Sequence, residues 1–413
     1  MNMESHTLLP SSAVMQKAMH EYIQGLNPKL RALNLFIHSN PELAYQEHKA
    51  HDAICDFLDE LGYSVRRHAY GLATAFEVMS GTGRRTVNFN AEYDALPDIG
   101  HACGHNLIAT AAVTGFIALS HVLKHFNIEG RVQLLGTPAE EDGGGKIDLL
   151  KAGAYEHVDV SLMVHPMSDA DYTPQGVLGS AGFLSGTSYS LLGTYTGVGA
   201  HAGASPWEGV NALDAVVSAY NNVSMLRQQI RPAERIHGAI VGAPKANSNA
   251  IPALTKIEYT ARSTTIRAAK NLADRVDRCM KAGAMATGCK LKIEEKPGYA
   301  DLRMNQPLCG MFQQYMDSNG IRILESEGYI AAATDQGNVS YALPALHGVI
   351  GIPVEDGFKN HTPGFTKAAG TMEAHNRIVI SGKAMAMTGW EVLSDDRLYQ
   401  MAKNAFEKDK ASR

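Results

Sequence analysis

The sequence predicts an α/β protein with a mostly parallel sheet, helices on both faces of that sheet, and an inserted ferredoxin-like α+β domain. Two observations support this fold class. From residue 72 onward, short apolar segments alternate with helical patterns, which is typical of parallel strands joined by helices. Between residues 182 and 297 the order becomes β-α-β-β-α-β, the order of a ferredoxin-like sandwich. We therefore predict a discontinuous domain over residues 1–181 and 298–413, and an inserted domain over residues 182–297.

The individual elements follow from local periodicity. Residues 14–23 and 47–61 carry apolar side chains at helical spacing, and Pro28 stands where the first turn of a helix accepts a proline. Elsewhere in the first domain the pattern predicts strands over residues 72–79, 86–91, 131–136, 160–164 and 345–350, and helices over residues 107–122, 304–319 and 365–392, with another helix starting at Lys146. In the inserted domain it predicts strands over residues 185–195, 237–241, 256–262 and 290–295, and helices over residues 211–229 and 268–286.

The composition argues against several classes of protein. Lys plus Arg number 37 and Asp plus Glu number 42, so the net charge is −5 and nucleic-acid binding through phosphate neutralisation is not expected. No segment approaches the roughly 18 apolar residues of a membrane span, so we expect no membrane association. The five cysteines are few, scattered and odd in number, which favours reduced thiols and a cytoplasmic location over a disulfide framework.

The sequence lacks the motifs that bind nucleotides and nicotinamide cofactors. No Gly-x-Gly-x-x-Gly follows an early strand, and no Gly-x-x-x-x-Gly-Lys-Ser/Thr loop occurs. By contrast, the chain has 17 histidines, and several of them stand in glycine-rich turns next to carboxylates. Because imidazole and carboxylate groups are common metal ligands, this pattern indicates metal chemistry.

The first candidate segment, residues 90–106, follows a predicted strand. Glu92 and Asp94 come at the carboxyl end of that strand, the edge at which open α/β sheets place their sites. Cys103 and His105 are separated by one residue, so both side chains can point to one side of a turn. A thiolate and an imidazole suit Zn²⁺ or a similar divalent ion. A buried cysteine in a glycine turn beside a surface histidine would produce the same pattern.

The second segment places two consecutive carboxylates, Glu140 and Glu141, directly after an apolar strand. Burying both charges without partners is costly, so one carboxylate can bind a metal while its neighbour acts as a general base. Acidic residues before a helix also occur simply as favourable charges at its N-terminus, so this segment alone leaves both interpretations open.

Three histidines complete the candidate residues. His165 ends an apolar strand, His361 precedes a long helix, and His201 stands among small residues in the inserted domain. Taken singly, each is more often a hydrogen-bonded structural histidine than a functional one. The first domain nevertheless supplies one thiol, three imidazoles and two carboxylates, each at a strand end or a helix start, and chance explains such a set poorly.

The order of these motifs resembles metallopeptidase family M20, which includes aminoacylases, carboxypeptidase G and the indole-acetyl-amino-acid hydrolases. The motifs are Asp-Ala-Leu-Pro from residue 94, His-Ala-Cys-Gly-His-Asn from 101, Ala-Glu-Glu from 139, Val-His-Pro from 164, Ala-His-Ala from 200 and His-Thr-Pro-Gly-Phe from 361. The segments starting at residues 90 and 334 are most similar to the branch that contains Xaa-Arg (β-alanyl-lysine) dipeptidase and aminobenzoyl-glutamate hydrolase. The resemblance extends over residues 37–377, most of the chain.

The resemblance implies a catalytic domain with two divalent metal ions and a lid domain that also forms a homodimer. Zinc or manganese is the implied metal, with cobalt as a further option. The residues that match the family's metal ligands are Cys103, His105, Glu141, His165 and His361. Cys103 matches the position that can bridge the two ions.

The resemblance also implies roles for five further residues. Glu140 matches the general base, and Asp94 matches a carboxylate that orients a metal ligand. His201 matches a lid histidine that reaches the partner protomer's site and stabilises the oxyanion. Asn249 matches a lid asparagine that binds substrate, and Arg262 is a candidate partner of the substrate carboxylate.

This chain departs from the family pattern at three places. Many members have a histidine two residues before the position of Asp94, where this chain has Glu92, so the first metal is expected to rely on other ligands. Ala253 replaces a frequent acidic residue, and residues 259–263 form an atypical version of their strand. The last two departures lie in the predicted lid and leave the metal ligands intact.

The expected activity is hydrolysis of the amide bond of a small N-acyl amino acid or dipeptide that has a free carboxylate. A metal-bound water would attack, with Glu140 as general base. An alternative keeps the same site for a specialised natural-product amide, or for amide-bond formation in a biosynthetic pathway. A third hypothesis, a non-catalytic binding or scaffolding protein, conflicts with the complete set of ligands.

Overall fold

A seven-stranded sheet lies at the centre of the larger of two units into which the chain divides. The computed structural model describes residues 9–242 and 247–413. The larger unit comprises the chain up to Leu184 together with Leu302–Ile330 and Asp335–Arg413, and the smaller unit comprises Ser185–Asp301 and Ala331–Thr334.

The helices and strands of the described residues are numbered here in chain order. The helices are α1 (Ser12–Ser39), α2 (His48–Glu60), α3 (His105–His125), α4 (Gly145–Lys151), α5 (Ala212–Leu226), α6 (Ile266–Thr287), α7 (Gln306–Ser318), α8 (Gln336–Ala342), α9 (Pro363–Ala369), α10 (Met372–Ser394) and α11 (Asp396–Ala411). The strands are β1 (Val65–Arg67), β2 (Phe76–Thr82), β3 (Thr86–Ala91), β4 (Gly130–Gly136), β5 (Val160–Ser168), β6 (Gly179–Ser180), β7 (Leu184–Ser185), β8 (Tyr189–Thr196), β9 (Arg235–Gly242), β10 (Leu254–Arg262), β11 (Lys290–Glu295), β12 (Tyr329–Ile330) and β13 (Ala345–Ile352).

The large sheet has a parallel centre and antiparallel edges. Its strand order is β1-β2-β4-β3-β5-β13-β6. Strands β4, β3, β5 and β13 run parallel to their neighbours within this group, whereas β1, β2 and β6 pair antiparallel. Every residue of β3 and β13 is buried, as expected for parallel strands covered on both faces. The predicted α/β fold with a mostly parallel central sheet is confirmed.

Helix α3 is the main core helix of this unit and packs against α1, α10 and β3. Among the described helices it alone is long and apolar enough to cross a membrane, but 94% of its most apolar window is buried inside the structure. It meets α10 closely where both helices carry small residues. A Cβ at Gly382 of α10 would lie 2.7 Å from the carbonyl oxygen of Ala111 and 2.7 Å from the Cβ of Thr114. Glycine therefore sets the distance between the two helices.

Two helix boundaries differ from the prediction. Helix α1 continues through Pro28, where the sequence suggested a helix start. The carbonyl that loses its donor to this proline belongs to exposed Gln24, where water can replace the missing bond, while buried Leu30 keeps the following turn packed. The single helix predicted over residues 365–392 is instead α9 and α10, because the Thr371 hydroxyl accepts a hydrogen bond from the Ala374 N–H and starts a new helix.

The smaller unit is a four-stranded antiparallel sheet with two helices. Its strand order is β11-β8-β10-β9. Helices α5 and α6 pack on each other and share an apolar core with the sheet. The chain order β8-α5-β9-β10-α6-β11 confirms the predicted ferredoxin-like arrangement. Strand β9 lies at one edge of this sheet.

The contact between α3 and α10 yields a stability prediction. We expect Gly382→Ala to lower the free energy of unfolding, since overpacking against backbone costs about 1–3 kcal/mol. Gly25→Ala, in the middle of α1, is the matched control because no described atom lies within 4 Å of a Cβ at that position. The control should raise the free energy of unfolding by up to about 1 kcal/mol through helix propensity. Urea denaturation of both variants checks this, and equal effects would contradict the close contact.

Candidate metal centre and active site

The candidate ligands Cys103 and His105 come from the turn that enters α3. Gly104 between them has φ +82°, and a Cβ there would lie 2.6 Å from the Cγ of Pro166. Only glycine combines this left-handed backbone with so close an approach. The turn therefore holds the thiol and the imidazole together beside β5, the strand that carries His165.

Two further segments reach the site through left-handed backbone at non-glycine residues. Ala139, just before the Glu140–Glu141 pair, has φ 59°, and His361 has φ 66°. The Ala139 N–H donates to Glu47 Oε1 at 2.8 Å, and the His361 N–H donates to the Ala102 carbonyl at 2.8 Å. Such conformations cost about 1–3 kcal/mol each and persist where the surroundings impose them, often at functional sites.

The five predicted ligands lie together. The Cys103 Sγ is 3.3 Å from His165 Nε2, and the Glu141 Oε1 is 3.3 Å from His361 Nε2. Two groups of three residues bring one ligand atom each to within 4.8 Å of one another, and both groups contain Cys103: Cys103, His105 and His165 form one, and Cys103, Glu141 and His361 form the other. Cys103 thus lies where a ligand shared by two ions would lie.

Hydrogen bonds from the far side of each ring orient two of the histidines. His105 Nδ1 is 2.9 Å from Asp94 Oδ1, and the other Asp94 oxygen accepts the Glu141 N–H at 2.9 Å. His165 Nδ1 is 2.8 Å from the Pro166 carbonyl, which can only accept, so Nδ1 carries the proton and Nε2 keeps its lone pair. This is how metal-binding histidines are usually held.

The site contains buried polar atoms that lack hydrogen-bond partners among the described residues. Glu92 Oε2 and His105 Nε2 are two such atoms, although they are only 3.5 Å apart. An unsatisfied buried acceptor normally costs about 1–3 kcal/mol or more. A divalent cation would satisfy both atoms, and the thiol, imidazole and carboxylate set suits zinc or a similar ion. The residues present therefore fit a metal centre.

The two consecutive glutamates differ in their electrostatic surroundings. Burial and the charge of Glu92 raise the pKa of Glu140 well above its ordinary value. Burial also acts to raise the pKa of Glu141, but its hydrogen bond with His361 and the charge of His105 outweigh burial and lower that pKa. Neighbouring carboxyl groups whose pKa values are pushed apart are typical of a proton-transferring group beside a permanently charged one.

The cysteine and histidine ligands also have shifted pKa values. Burial, together with the charge of Glu141, raises the pKa of the Cys103 thiol. Burial lowers the pKa of His165 to about 4, so this ring is neutral at neutral pH and ready to bind a metal. His105 behaves differently, because the charges of Asp94 and Cys103 overcome the effect of burial and raise its pKa.

The sequence did not reveal a buried lysine beside the site. Lys146 Nζ lies 2.5 Å from Glu92 Oε1 and 2.6 Å from Asp335 Oδ1, and all three side chains are 0% exposed. Burial alone would lower the pKa of Lys146, but the charges of Asp335 and Glu92 raise it, so the group stays an ammonium. The feature of the sequence that could have indicated this burial is a lysine that directly follows an acidic segment and three glycines.

The remaining predicted site residues belong to the smaller unit. His201 and Asn249 lie side by side, since the backbone around His201 pairs with the segment around Ala250. Arg262 ends β10, and its Nε donates to His237 Nε2 at 3.1 Å. Because β10 starts at Leu254 and rises about 3.3 Å per residue, Arg262 lies at the opposite end of the strand from the His201 and Asn249 segments.

The chain is similar to known proteins over most of its length. The model of Peptidase family M20/M25/M40 matches residues 88–375. Over 412 residues the chain is 36% identical to Xaa-Arg dipeptidase from Mus musculus, and the match covers 95% of this chain and 92% of that protein. The chain is also 28% identical over 268 residues to one of the subunits of p-aminobenzoyl-glutamate hydrolase from Escherichia coli (strain K12), covering 61% of this chain and 54% of that protein.

The fold is shared with a solved structure, a dinuclear metal-binding peptidase of family M20 from Bacillus subtilis. The TM-score is 0.62 at 17% identity, and the match covers 90% of this chain and 99% of that one. The family match spans more than half of the chain and includes all five predicted metal ligands. The chain belongs to peptidase family M20/M25/M40, which confirms the resemblance drawn from its motifs and makes it a metal-dependent enzyme that hydrolyses amide bonds of small peptides or N-acyl amino acids.

Proposed function

We propose that this enzyme is a dinuclear metallodipeptidase whose substrates are dipeptides or N-acyl amino acids with a free carboxylate. The observation that carries the proposal is the pair of ligand groups that share Cys103, next to two glutamates with opposite pKa shifts. Cys103, His105, Glu141, His165 and His361 would hold the ions. Zinc suits this thiolate and imidazole set best, with manganese or cobalt as alternatives. When bound, the ions would polarise the substrate carbonyl and lower the pKa of water to about 7.

Glu140 is the proposed general base. Its raised pKa brings the proton affinity of the carboxyl group closer to neutral pH, where it can accept a proton from the attacking water and deliver that proton to the leaving amine. Asp94 keeps the His105 ring in place and stays charged, because the charge and hydrogen bond of His105 outweigh burial and lower the pKa of Asp94.

His201 is proposed to stabilise the oxyanion. Its Nδ1 accepts backbone N–H groups of Gly203 at 3.2 Å and Ala204 at 3.1 Å, so the ring proton must be on Nε2. The side chain is exposed, so its Nε2–H is available to donate a hydrogen bond to an oxyanion. Asn249, beside it, is the proposed contact for the same substrate. Arg262, at the opposite end of β10, is the proposed partner of the substrate carboxylate in the site of its own protomer.

We propose that the smaller unit is a lid and dimerisation domain, and that His201 serves the site of the partner protomer. Strand β9 supports a dimer because it is an exposed edge, with Ile240 44% and Val241 54% exposed. Unprotected apolar edges of this kind pair readily with a second strand. The free cysteines of the chain support a reducing, cytoplasmic location.

The relatives guide the choice of substrate. One relative is named for dipeptides that end in arginine, and the other is named for an acidic N-acyl amino acid. The chain is 36% identical to the first and 28% identical to the second. We therefore propose that a basic dipeptide is the better substrate. Both names describe hydrolysis, so amide-bond formation is not favoured.

Substitution of Glu140 tests its role as general base. We expect Glu140→Gln to reduce kcat by about 10²–10⁴-fold, the usual contribution of a general acid–base group. Metal content should stay at the parent level, because Glu140 is not among the proposed ligands. Glu129→Gln is the control, since it removes an exposed carboxylate just before β4, at the other end of that strand from Glu140, and should leave kcat unchanged. Near-parent turnover in the Glu140 variant with both ions bound would refute the role.

Metal removal and a substrate panel test the proposed activity. Purified protein should cleave some member of a panel of dipeptides and N-acyl amino acids, with products identified by mass spectrometry. Chelation should abolish cleavage, and added Zn²⁺, Mn²⁺ or Co²⁺ should restore it. Failure to cleave by protein that carries metal would favour a specialised natural-product amide, and protein that neither binds metal nor cleaves would sink the proposal.

A charge on the edge of β9 tests the proposed dimer. Val241→Lys places a charge on the exposed edge of β9, so we expect light scattering to report a monomer and activity to disappear at unchanged metal content. Met285→Lys is the control, because Met285 is an 85% exposed apolar residue on α6 of the same unit. An active monomer would show that His201 does not act on a partner's site.

A further inference from the structure

Lys146 is buried between two carboxylates that belong to different parts of the chain. Its ammonium contacts Glu92 after β3 and Asp335 before α8. Its backbone N–H also donates to the second Asp335 oxygen, at 2.9 Å. Lysine is rarely buried completely, and one that is must be held by specific partners.

The backbone of α4 gives this lysine little freedom. Gly145, the residue before it, lies so close to Pro138 that a Cβ would meet the Pro138 carbonyl oxygen at 1.9 Å. The first turn of α4, which carries Lys146, therefore packs directly against the segment that precedes Glu140. Its long side chain then reaches Glu92 Oε1, so that Oε2 of that carboxylate is left for another partner.

The second oxygen of Glu92 lies beside the metal centre. Glu92 Oε2 and His105 Nε2 are 3.5 Å apart, both are buried, and neither makes a hydrogen bond to a described residue. One side-chain atom each of Glu92, His105 and Glu140 lies within 4.8 Å of the other two, so Glu92 is close to both a proposed ligand and the proposed general base. Lys146 contacts the other Glu92 oxygen and Asp335, so Glu92 Oε2 faces the His105 ring, where a shared cation would bind both atoms.

We propose that Lys146 is a positioning residue that holds Glu92 as an additional ligand of the metal centre. The lysine fixes one carboxylate oxygen and thereby aims the other at the ion bound by His105. This inference rests on the metal centre of the proposed function and adds to it a sixth protein ligand. Glu92 then supplies a ligand at the place where the family pattern has a histidine.

The test is metal binding measured without activity. Metal-free parent protein, Glu92→Gln and Lys146→Gln are titrated with Zn²⁺ by calorimetry and with Co²⁺ by absorption spectroscopy, with metal content checked by mass spectrometry. We expect both variants to bind one of the two ions at least about tenfold more weakly and to change the Co²⁺ spectrum. Lys151→Gln is the matched control, because this exposed lysine lies at the end of the same helix and pairs with Asp148 at the surface. It should bind both ions as the parent does.

Thermal unfolding in chelator separates this role from a purely structural ion pair. Glu92→Gln keeps an oxygen for Lys146 and leaves the ammonium paired with Asp335, so its metal-free Tm should equal or exceed that of the parent. A metal-free Tm below that of the parent, with both ions bound at parental affinity, would overturn the proposal. The contacts of Lys146 with Glu92 and Asp335 would then have a purely structural role. Parent protein that binds no metal would instead overturn the metal centre itself.

Discussion

The structure of the larger unit is organised around the cost of burying negative charge. Five carboxylates gather at the carboxyl edge of the parallel strands and near the ends of α4 and α8: Glu92, Asp94, Glu140, Glu141 and Asp335. Each would be expensive to bury alone. One ammonium, a few backbone N–H groups and the histidine rings offset part of that cost. Divalent cations held by the proposed ligands would offset the rest.

The local backbone follows from the same constraint. The Gly104 turn, the left-handed conformations of Ala139 and His361, and the close approach of Gly145 all bring polar groups nearer to the site than ordinary strands and helices would. Exposure rises from 0% for the His105 side chain to 54% for that of His361. The deep end of the site is therefore fixed by the core, whereas the His361 end is exposed.

The sequence predicted those features of the site that follow from the type of side chain and from its position at the end of a strand. The predicted ligands Cys103, His105 and Glu141 lie at the expected edge because parallel strands deliver their carboxyl ends to one side of a sheet. The burial of Lys146 could not be predicted, since its partner Asp335 is distant in sequence and lysine is normally exposed. The passage of α1 through Pro28 also depends on tertiary packing, which local propensity does not contain.

The insertion of the smaller unit has a consequence for synthesis on the ribosome. Strand β13 pairs with β5, yet it follows the whole smaller unit in the chain, and α10 packs on α3 only after that. A nascent chain therefore exposes β5 as an unpaired edge until β13 has emerged, while the smaller unit already has nearly all of its residues. Folding of the larger sheet is thus completed last. In a chain truncated before Ala345, the edge of β5 stays unpaired, and its apolar residues, which are buried in the complete fold, favour aggregation.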